Sequence, residues 1–174
     1  IPAARLRHRV RQLGRRLTRD LAGTPVLVVP LLDGCFCFAA DLVRAIQLPD
    51  LRLHFSRASS YGDAQVSSGT VRLADLPKVA GATVLVVDDI LDTGRTLAAV
   101  RDRLTAAGAA RVLTCVLLDK PSRRVADIRA DHVGFTIGDE FVVGYGLDCA
   151  GRFRHLPDLC VLRGSALADD AAAT

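Results

Sequence analysis

The stretch that most constrains this chain is residues 84–97, VLVVDDILDTGRTL. Val84, Leu85, Val86 and Val87 form an unbroken, largely β-branched run, which reads as a strand covered on both faces, as in a parallel sheet. The run leads into two adjacent carboxylates, Asp88 and Asp89. A polar turn follows, Asp92-Thr93-Gly94-Arg95-Thr96, and then a helical stretch from Leu97. In open α/β sheets, ligands bind beyond the carboxyl ends of the strands. Gly94 can take positive φ in a tight turn. Thr96 or Asp92 can cap the following helix, whose free backbone N–H groups bind phosphate without a lysine. Asp88 and Asp89 only accept hydrogen bonds, which suits hydroxyl groups or a hydrated Mg²⁺. The combination fits a sugar phosphate, although an acidic strand end and a capped helix occur in many α/β proteins. Neither a Walker A loop nor a Gly-x-Gly-x-x-Gly dinucleotide turn is present.

The rest of the chain alternates between helical and extended patterns. Leu6, Val10, Leu13, Leu17 and Leu21 recur at three and four residues, which predicts an amphipathic helix over 4–22. Further helices are expected over 36–46 and 97–107. Strands are expected over 26–29, 51–56, 71–73, 84–87, 111–118, 133–137 and 141–143. This alternation implies an α/β fold, a mainly parallel sheet with helices on both sides. No repeat or linker divides the 174 residues, so one domain is expected over 1–165, with a frayed Ala/Asp-rich tail over 166–174.

Composition narrows the function classes. Five cysteines, Cys35, Cys37, Cys115, Cys149 and Cys160, show no disulfide framework or zinc spacing, so reduced and mostly buried thiols in a cytoplasmic protein are expected. No signal peptide or membrane-length apolar run occurs. The sequence has no initiator Met and is expected to start inside a longer gene product. Of 23 basic residues only Lys78 and Lys120 are lysines. That scarcity singles out Lys120. The arginines gather in the first helix (Arg5, Arg7, Arg9, Arg11, Arg15, Arg16 and Arg19), where a solvated face outweighs a nucleic-acid patch.

Residues 84–97 resemble the phosphoribosyl-pyrophosphate (PRPP) motif of type I phosphoribosyltransferases. Other segments resemble the hypoxanthine-guanine branch of that family, in the family's order. They are LLDGCF (31–36) with FAADL (38–42), SSYG (59–62) through SSG (67–69), LLDKPSRR (117–124), DEFVVGYGLD (139–148) and RFRHLP (152–157). The resemblance covers about residues 5–163. It implies the type I phosphoribosyltransferase fold, with a twisted parallel sheet, a small hood and a flexible lid loop. It also implies Mg²⁺-dependent purine salvage: a 6-oxopurine displaces pyrophosphate from C1 of PRPP, giving IMP or GMP. Cation character builds on the ribose as charge departs, so positioning and electrostatics should carry the rate.

The resemblance assigns roles residue by residue. Asp92 takes the proton from purine N7, although spacing alone also allows a turn-forming or capping aspartate. Asp88 and Asp89 hold the ribose hydroxyls, and both belong with Asp148 to the expected Mg²⁺ set. Thr93, Gly94, Arg95 and Thr96 hold the phosphate. Leu32, Asp33, Gly34 and Arg154 meet the pyrophosphate, and a cis peptide is expected at Leu32-Asp33. Ser60 and Tyr61 close the lid. Lys120 donates to the exocyclic oxygen of the base, which disfavours adenine. Phe141 stacks on the base, and Val142, Leu147 and Asp148 read its edge.

The sequence departs from the family pattern twice. Asp88 stands where the family more often has Glu. Asp33 stands where it often has Lys, so weaker PRPP binding or a greater Mg²⁺ requirement is expected. A second class stays open, a regulatory RNA binder on the same fold like the pyrimidine operon attenuators, which share the Asp-Asp pair and the turn. Lys120 and FVVGYGLD favour the purine enzyme. A homodimer or homotetramer is expected, with PRPP and a 6-oxopurine as partners.

Overall fold

The computed structural model describes residues 1–60, 71–73 and 77–163. Helix α1 (Ala3–Asp20) leads to β1 (Val26–Leu32), α2 (Phe36–Ala45), β2 (Leu51–Leu53), β3 (Ser56–Ser60) and β4 (Val71–Leu73). Then come β5 (Thr83–Leu91), α3 (Arg95–Ala106), β6 (Arg111–Asp119), a 3-10 turn (Pro121–Arg123), β7 (His132–Thr136), β8 (Val142–Val143) and β9 (Cys160–Val161). The main sheet runs β4-β3-β1-β5-β6-β7, with β2 also on β1. Every pairing in it is parallel except β3 with β4. β8 and β9 form a separate antiparallel pair.

The period-2 alternation of the central strands explains why they are apolar throughout. Val26, Val28, Leu85, Val87, Leu113 and Cys115 face α1 and α2, packing on Leu6, Val10, Leu17, Phe38 and Leu42. Leu27, Val29, Val84, Val86 and Val116 face the opposite layer, against Leu97, Val100 and Leu104 of α3. Each such side chain contributes roughly 1.5–3 kcal/mol by leaving water.

Four local expectations are corrected. The stretch 51–56 is two short strands, because residues 51–53 pair with the start of β1 and residues 56–57 with its end. β5 continues past Val87 to Leu91, because β6 pairs with it through Asp88, Ile90 and Leu91. The acids are therefore inside the strand on the β6 side. On the other side, pairing with β1 stops at Pro30 and Val87, which opens a gap there. α3 starts at Arg95 with Gly94 as its cap residue, and neither Asp92 nor Thr96 caps it. Instead the Arg95 N–H donates to Thr93 Oγ1 at 3.4 Å. The 141–143 strand is confined to Val142 and Val143.

Helix α1 approaches α2 at Gly14. A Cβ there would lie 2.5 Å from Ala45 Cβ and 2.6 Å from its carbonyl oxygen. This contact sets the position of α2, which follows the 31–34 loop. Gly14→Ala should destabilise the fold by about 1–3 kcal/mol, despite alanine's higher helix propensity, because backbone must move. An unchanged or raised thermal midpoint would refute the close-approach reading.

Candidate active site

The gap between the ends of β1 and β5 is a cavity of about 240 Å³, lined by residues 31–34, 88–94, 96 and 97. The turn after β5 forms its floor. Gly94 has φ +82, and a Cβ would meet Ile128 Cγ2 at 2.6 Å, so both backbone and space demand glycine. Arg95 is exposed and lies outside the lining. Gly34 comes so close to Asp89 that an added Cβ would fall 1.7 Å from its Oδ2. The Leu32-Asp33 peptide is cis.

Asp88 and Asp89 are the electrostatic centre. Asp88 Oδ1 accepts the Asp89 N–H at 3.0 Å, and Asp89 Oδ1 accepts the Ile90 N–H at 2.7 Å. Burial pushes the Asp88 carboxyl well above the usual range, and the neighbouring Asp89 charge adds to it. Burial raises Asp89 as well, but backbone N–H donors and the charge of Arg154 partly offset it. Cys35 beneath them is a buried thiol raised first by burial and then by both acids, which leaves it an inert packing residue.

Asp92 faces the segment after β6. Arg123 Nε donates to its Oδ1 at 3.1 Å, and the same guanidinium reaches Asp139 at 3.4 Å. Arg124 donates to the carbonyls of Asp92 and Leu91 at 3.0 Å each, to Ile128 O at 2.7 Å, and to the Asp119 carboxylate. The N–H groups of Val125 and Ala126 bond Thr93 O. The turn is thus clamped by the residues following Lys120.

Lys120 is buried, with 7% exposure. Its backbone N–H bonds Leu91 O at 3.0 Å, and its Nζ donates to Glu140 O at 2.8 Å. That bond brings the lysine beside Phe141, whose ring is 44% exposed. Val142 follows on β8. Leu147 packs near Gly34, with its Cδ2 3.6 Å from where a Gly34 Cβ would stand. Asp148 accepts from Arg154 Nη2 at 2.8 Å and from the Gly151 N–H at 2.8 Å, while Arg154 Nη1 donates to Gly146 O at 2.7 Å. Tyr145, at φ +50, donates its hydroxyl to Asp41 of α2 at 2.7 Å and ties this loop to that helix. Asp33 carries Arg57, with Nη2 at 3.0 Å and Nε at 3.2 Å from Oδ1. Of the lid candidates, Tyr61 lies outside the described residues, and Ser60 is described only as the end of β3.

A family model described as the phosphoribosyl transferase domain matches residues 3–150. The chain belongs to the phosphoribosyltransferase family. Among curated relatives of this phosphoribosyltransferase is the hypoxanthine phosphoribosyltransferase of Salmonella typhimurium, 45% identical over 161 residues and covering 90% of each chain. The hypoxanthine-guanine phosphoribosyltransferase of Bacillus subtilis is 42% identical over 160 residues, covering 91% of this chain and 88% of its own. A solved hypoxanthine phosphoribosyltransferase from Staphylococcus aureus superposes with a TM-score of 0.88 at 36% identity, covering 93% of this chain and 89% of that one. The Trypanosoma cruzi enzyme does so with a TM-score of 0.89 at 34% identity, over 98% and 93%. The fold is the type I phosphoribosyltransferase fold, and the chain is an enzyme of that class.

Sequence reading of this phosphoribosyltransferase assigned no role to Arg57, Arg123, Arg124, Asp41 or Tyr145. The signal for two of them was present in LLDKPSRR, where paired arginines follow the lone buried lysine. Arg57 and Asp41 gave none, because their partners are 24 and 104 residues away.

The raised Asp88 carboxyl has a stability consequence. Its folded value lies above the unfolded one, so its contribution is fully present at low pH and is lost as pH rises through the folded value. Asp88→Asn should therefore stabilise the ligand-free protein at pH 7.5 by about 1 kcal/mol, the low end of the mutational scale for burying a polar group, because Asp88 is half-buried and already accepts the Asp89 N–H. The advantage should shrink as pH falls toward about 4, the ordinary carboxylate value. Thermal melts of both proteins across that range check it, and a gap that is absent at pH 7.5 or widens on acidification contradicts it.

Proposed function

We propose that this enzyme transfers the 5-phosphoribosyl group from PRPP to N9 of a 6-oxopurine, hypoxanthine or guanine. The N9–C1 bond forms as the C1–O bond to pyrophosphate breaks, giving IMP or GMP. The observation that carries this reading is one short bridge, Lys120 N–H to Leu91 O. It joins the start of the Lys120 segment to Leu91, which lines the acid-and-turn cavity, and so supports a base site next to that cavity. A ribose phosphate and a flat oxo-base then meet there. The names of the relatives at 42–45% identity support the same substrates.

In this reading the ribose hydroxyls donate to Asp88 and Asp89, and the phosphate takes the backbone N–H groups of Thr93, Gly94, Arg95 and Thr96. The pyrophosphate lies against Leu32, Asp33, Gly34 and Arg154. Asp92, steadied by Arg123, accepts the purine N7 proton. Lys120 donates to the exocyclic oxygen, Phe141 stacks, and Val142, Leu147 and Asp148 contact the base edge. Ser60 and Tyr61 belong to a lid that excludes water.

The acids fit Mg²⁺ as the family's metal. Among the described residues no three metal-ligating side chains cluster into a ready cage. Mg²⁺ is ordinarily held by one or two carboxylates, with waters and substrate phosphates completing its shell. Asp88 and Asp89 are half-buried acids lining the cavity, and Asp148 is already oriented by Arg154. Asp88, Asp89 and Asp148 would hold the ion, which when bound would supply charge neutralisation for a departing pyrophosphate.

The proposal extends to one catalytic domain over 1–165, a cytoplasmic setting and a homodimer or homotetramer. Among the described residues no helix is long and apolar enough to cross a membrane. Arg9 of the first helix is engaged by the fold, donating to the carbonyls of Gly134 and Val133 at 2.6 and 2.9 Å. That use of the helix supports a structural role over a nucleic-acid surface.

PRPP- and Mg²⁺-dependent nucleotide formation with hypoxanthine, guanine, xanthine, adenine and uracil tests the substrate class. Turnover of 6-oxopurines without adenine or uracil is expected, and the reverse preference defeats the reading. Asp92→Asn should lower kcat by about 10²–10⁴ with little change in the KM of either substrate. A kcat within about twofold of wild type would remove Asp92 from the proton-accepting role.

A further inference from the structure

The cavity is unusually acidic for its task. Asp33, Asp88, Asp89 and Asp92 all line it, yet PRPP brings a polyanion. This inference rests on the proposed reading that the site takes PRPP. Three arginines stand at the rim, each on a carboxylate. Arg154 holds Asp148 and the Gly146 carbonyl, and Arg123 bridges Asp92 and Asp139. Arg123 is thereby held between two carboxylates, and Arg154, which in the proposed reading also meets the pyrophosphate, is held by a carboxylate and a carbonyl. Arg57 differs. Among the described residues its guanidinium is held by one carboxylate oxygen, Asp33 Oδ1, through Nη2 and Nε.

The register puts this guanidinium where an anion enters. β3 runs parallel to β1 with Arg57 opposite Leu32, the last residue before Asp33. The Arg57 side chain is 70% exposed and that of Asp33 52% exposed. Such an exposed pair is weak and exchangeable. A pyrophosphate carries more charge than one carboxylate, and it offers two oxygens to the planar guanidinium fork where Asp33 presents one.

We propose that Arg57 is a pyrophosphate-binding residue kept in place by Asp33, and that the guanidinium exchanges the carboxylate for phosphate oxygens when PRPP or pyrophosphate binds. Asp33 has two opposed effects. It parks the cation at the mouth of the cavity, and it competes with the incoming anion for that cation. The loop that lacks a cation of its own thus borrows one from the neighbouring strand. The expected handicap of Asp33 is thereby reduced to a competition that Asp33→Asn removes.

The test is calorimetric binding of inorganic pyrophosphate in magnesium buffer to wild type, Arg57→Gln, Arg57→Lys, Asp33→Asn and the Asp33→Asn/Arg57→Gln double variant. Both side chains are exposed, and thermal melts establish that each variant is folded. Arg57→Gln should weaken pyrophosphate by about fivefold or more, with partial recovery in Arg57→Lys. Asp33→Asn should tighten it by about two- to fivefold at low salt, less at high salt. In the Arg57→Gln background the Asp33→Asn gain should disappear. IMP, which has no pyrophosphate, should bind all five proteins alike. The proposal is overturned if Arg57→Gln binds pyrophosphate like wild type, if Asp33→Asn acts equally with and without Arg57, or if IMP affinity falls in parallel. Wild-type turnover of hypoxanthine reports separately on the substrate reading. Failure there with Arg57-dependent pyrophosphate binding intact would sink the purine assignment and leave the anion-binding role standing.

Discussion

One guanidinium holds the site together. Arg124 satisfies the carbonyls of Leu91, Asp92 and Ile128 and the carboxylate of Asp119. Carbonyls in an irregular turn need donors, and an arginine presents five in a fixed fork. By filling them, Arg124 locks the turn after β5 to the residues that follow β6. The turn that floors the cavity and the buried Lys120 are consequently one rigid unit. Gly94 completes the lock, because its missing Cβ leaves room for the Arg124 stem and Ile128.

Around that unit the charges are arranged in tension. Asp88 and Asp89 are adjacent, half-buried and mutually repelling, and partial desolvation favours their neutral forms. The fold tolerates this because β6 pairing continues through the acids while β1 pairing stops short of them. One edge of β5 is thus left for ligand. Stability given up at such a pair is recoverable as binding energy when a cation or hydroxyl donors arrive. The surrounding arginines pair with the other carboxylates: Arg123 with Asp92, Arg154 with Asp148 and Arg57 with Asp33.

Several elements were legible from residue patterns. The heptad-like spacing of Leu6, Val10, Leu13 and Leu17 gave α1 to within two residues, since burying one helix face demands that period. Continuous apolar runs gave β1, β5 and β6, since parallel strands are covered on both faces. β5 extends beyond its apolar run because Asp88 stays in the ladder with β6 and the pairing continues through Ile90 and Leu91, a register set by a strand more than 20 residues away. The 51–56 stretch split for a related reason: two different parts of β1 recruit its two halves.

The sequence by itself determined the α/β alternation, the acidic strand end with its glycine turn, and the family to which those motifs belong. These are local patterns of period, chirality and spacing, and local physics fixes them. Tertiary structure decided how the charges are partnered. That Asp33 faces Arg57, that Lys120 reaches Glu140 and that Tyr145 is tied to Asp41 follow from strand register and helix packing. Electrostatic energy depends on separation in space, and separations along the chain of 20 to 104 residues carry no information about it until the core has set the elements in place.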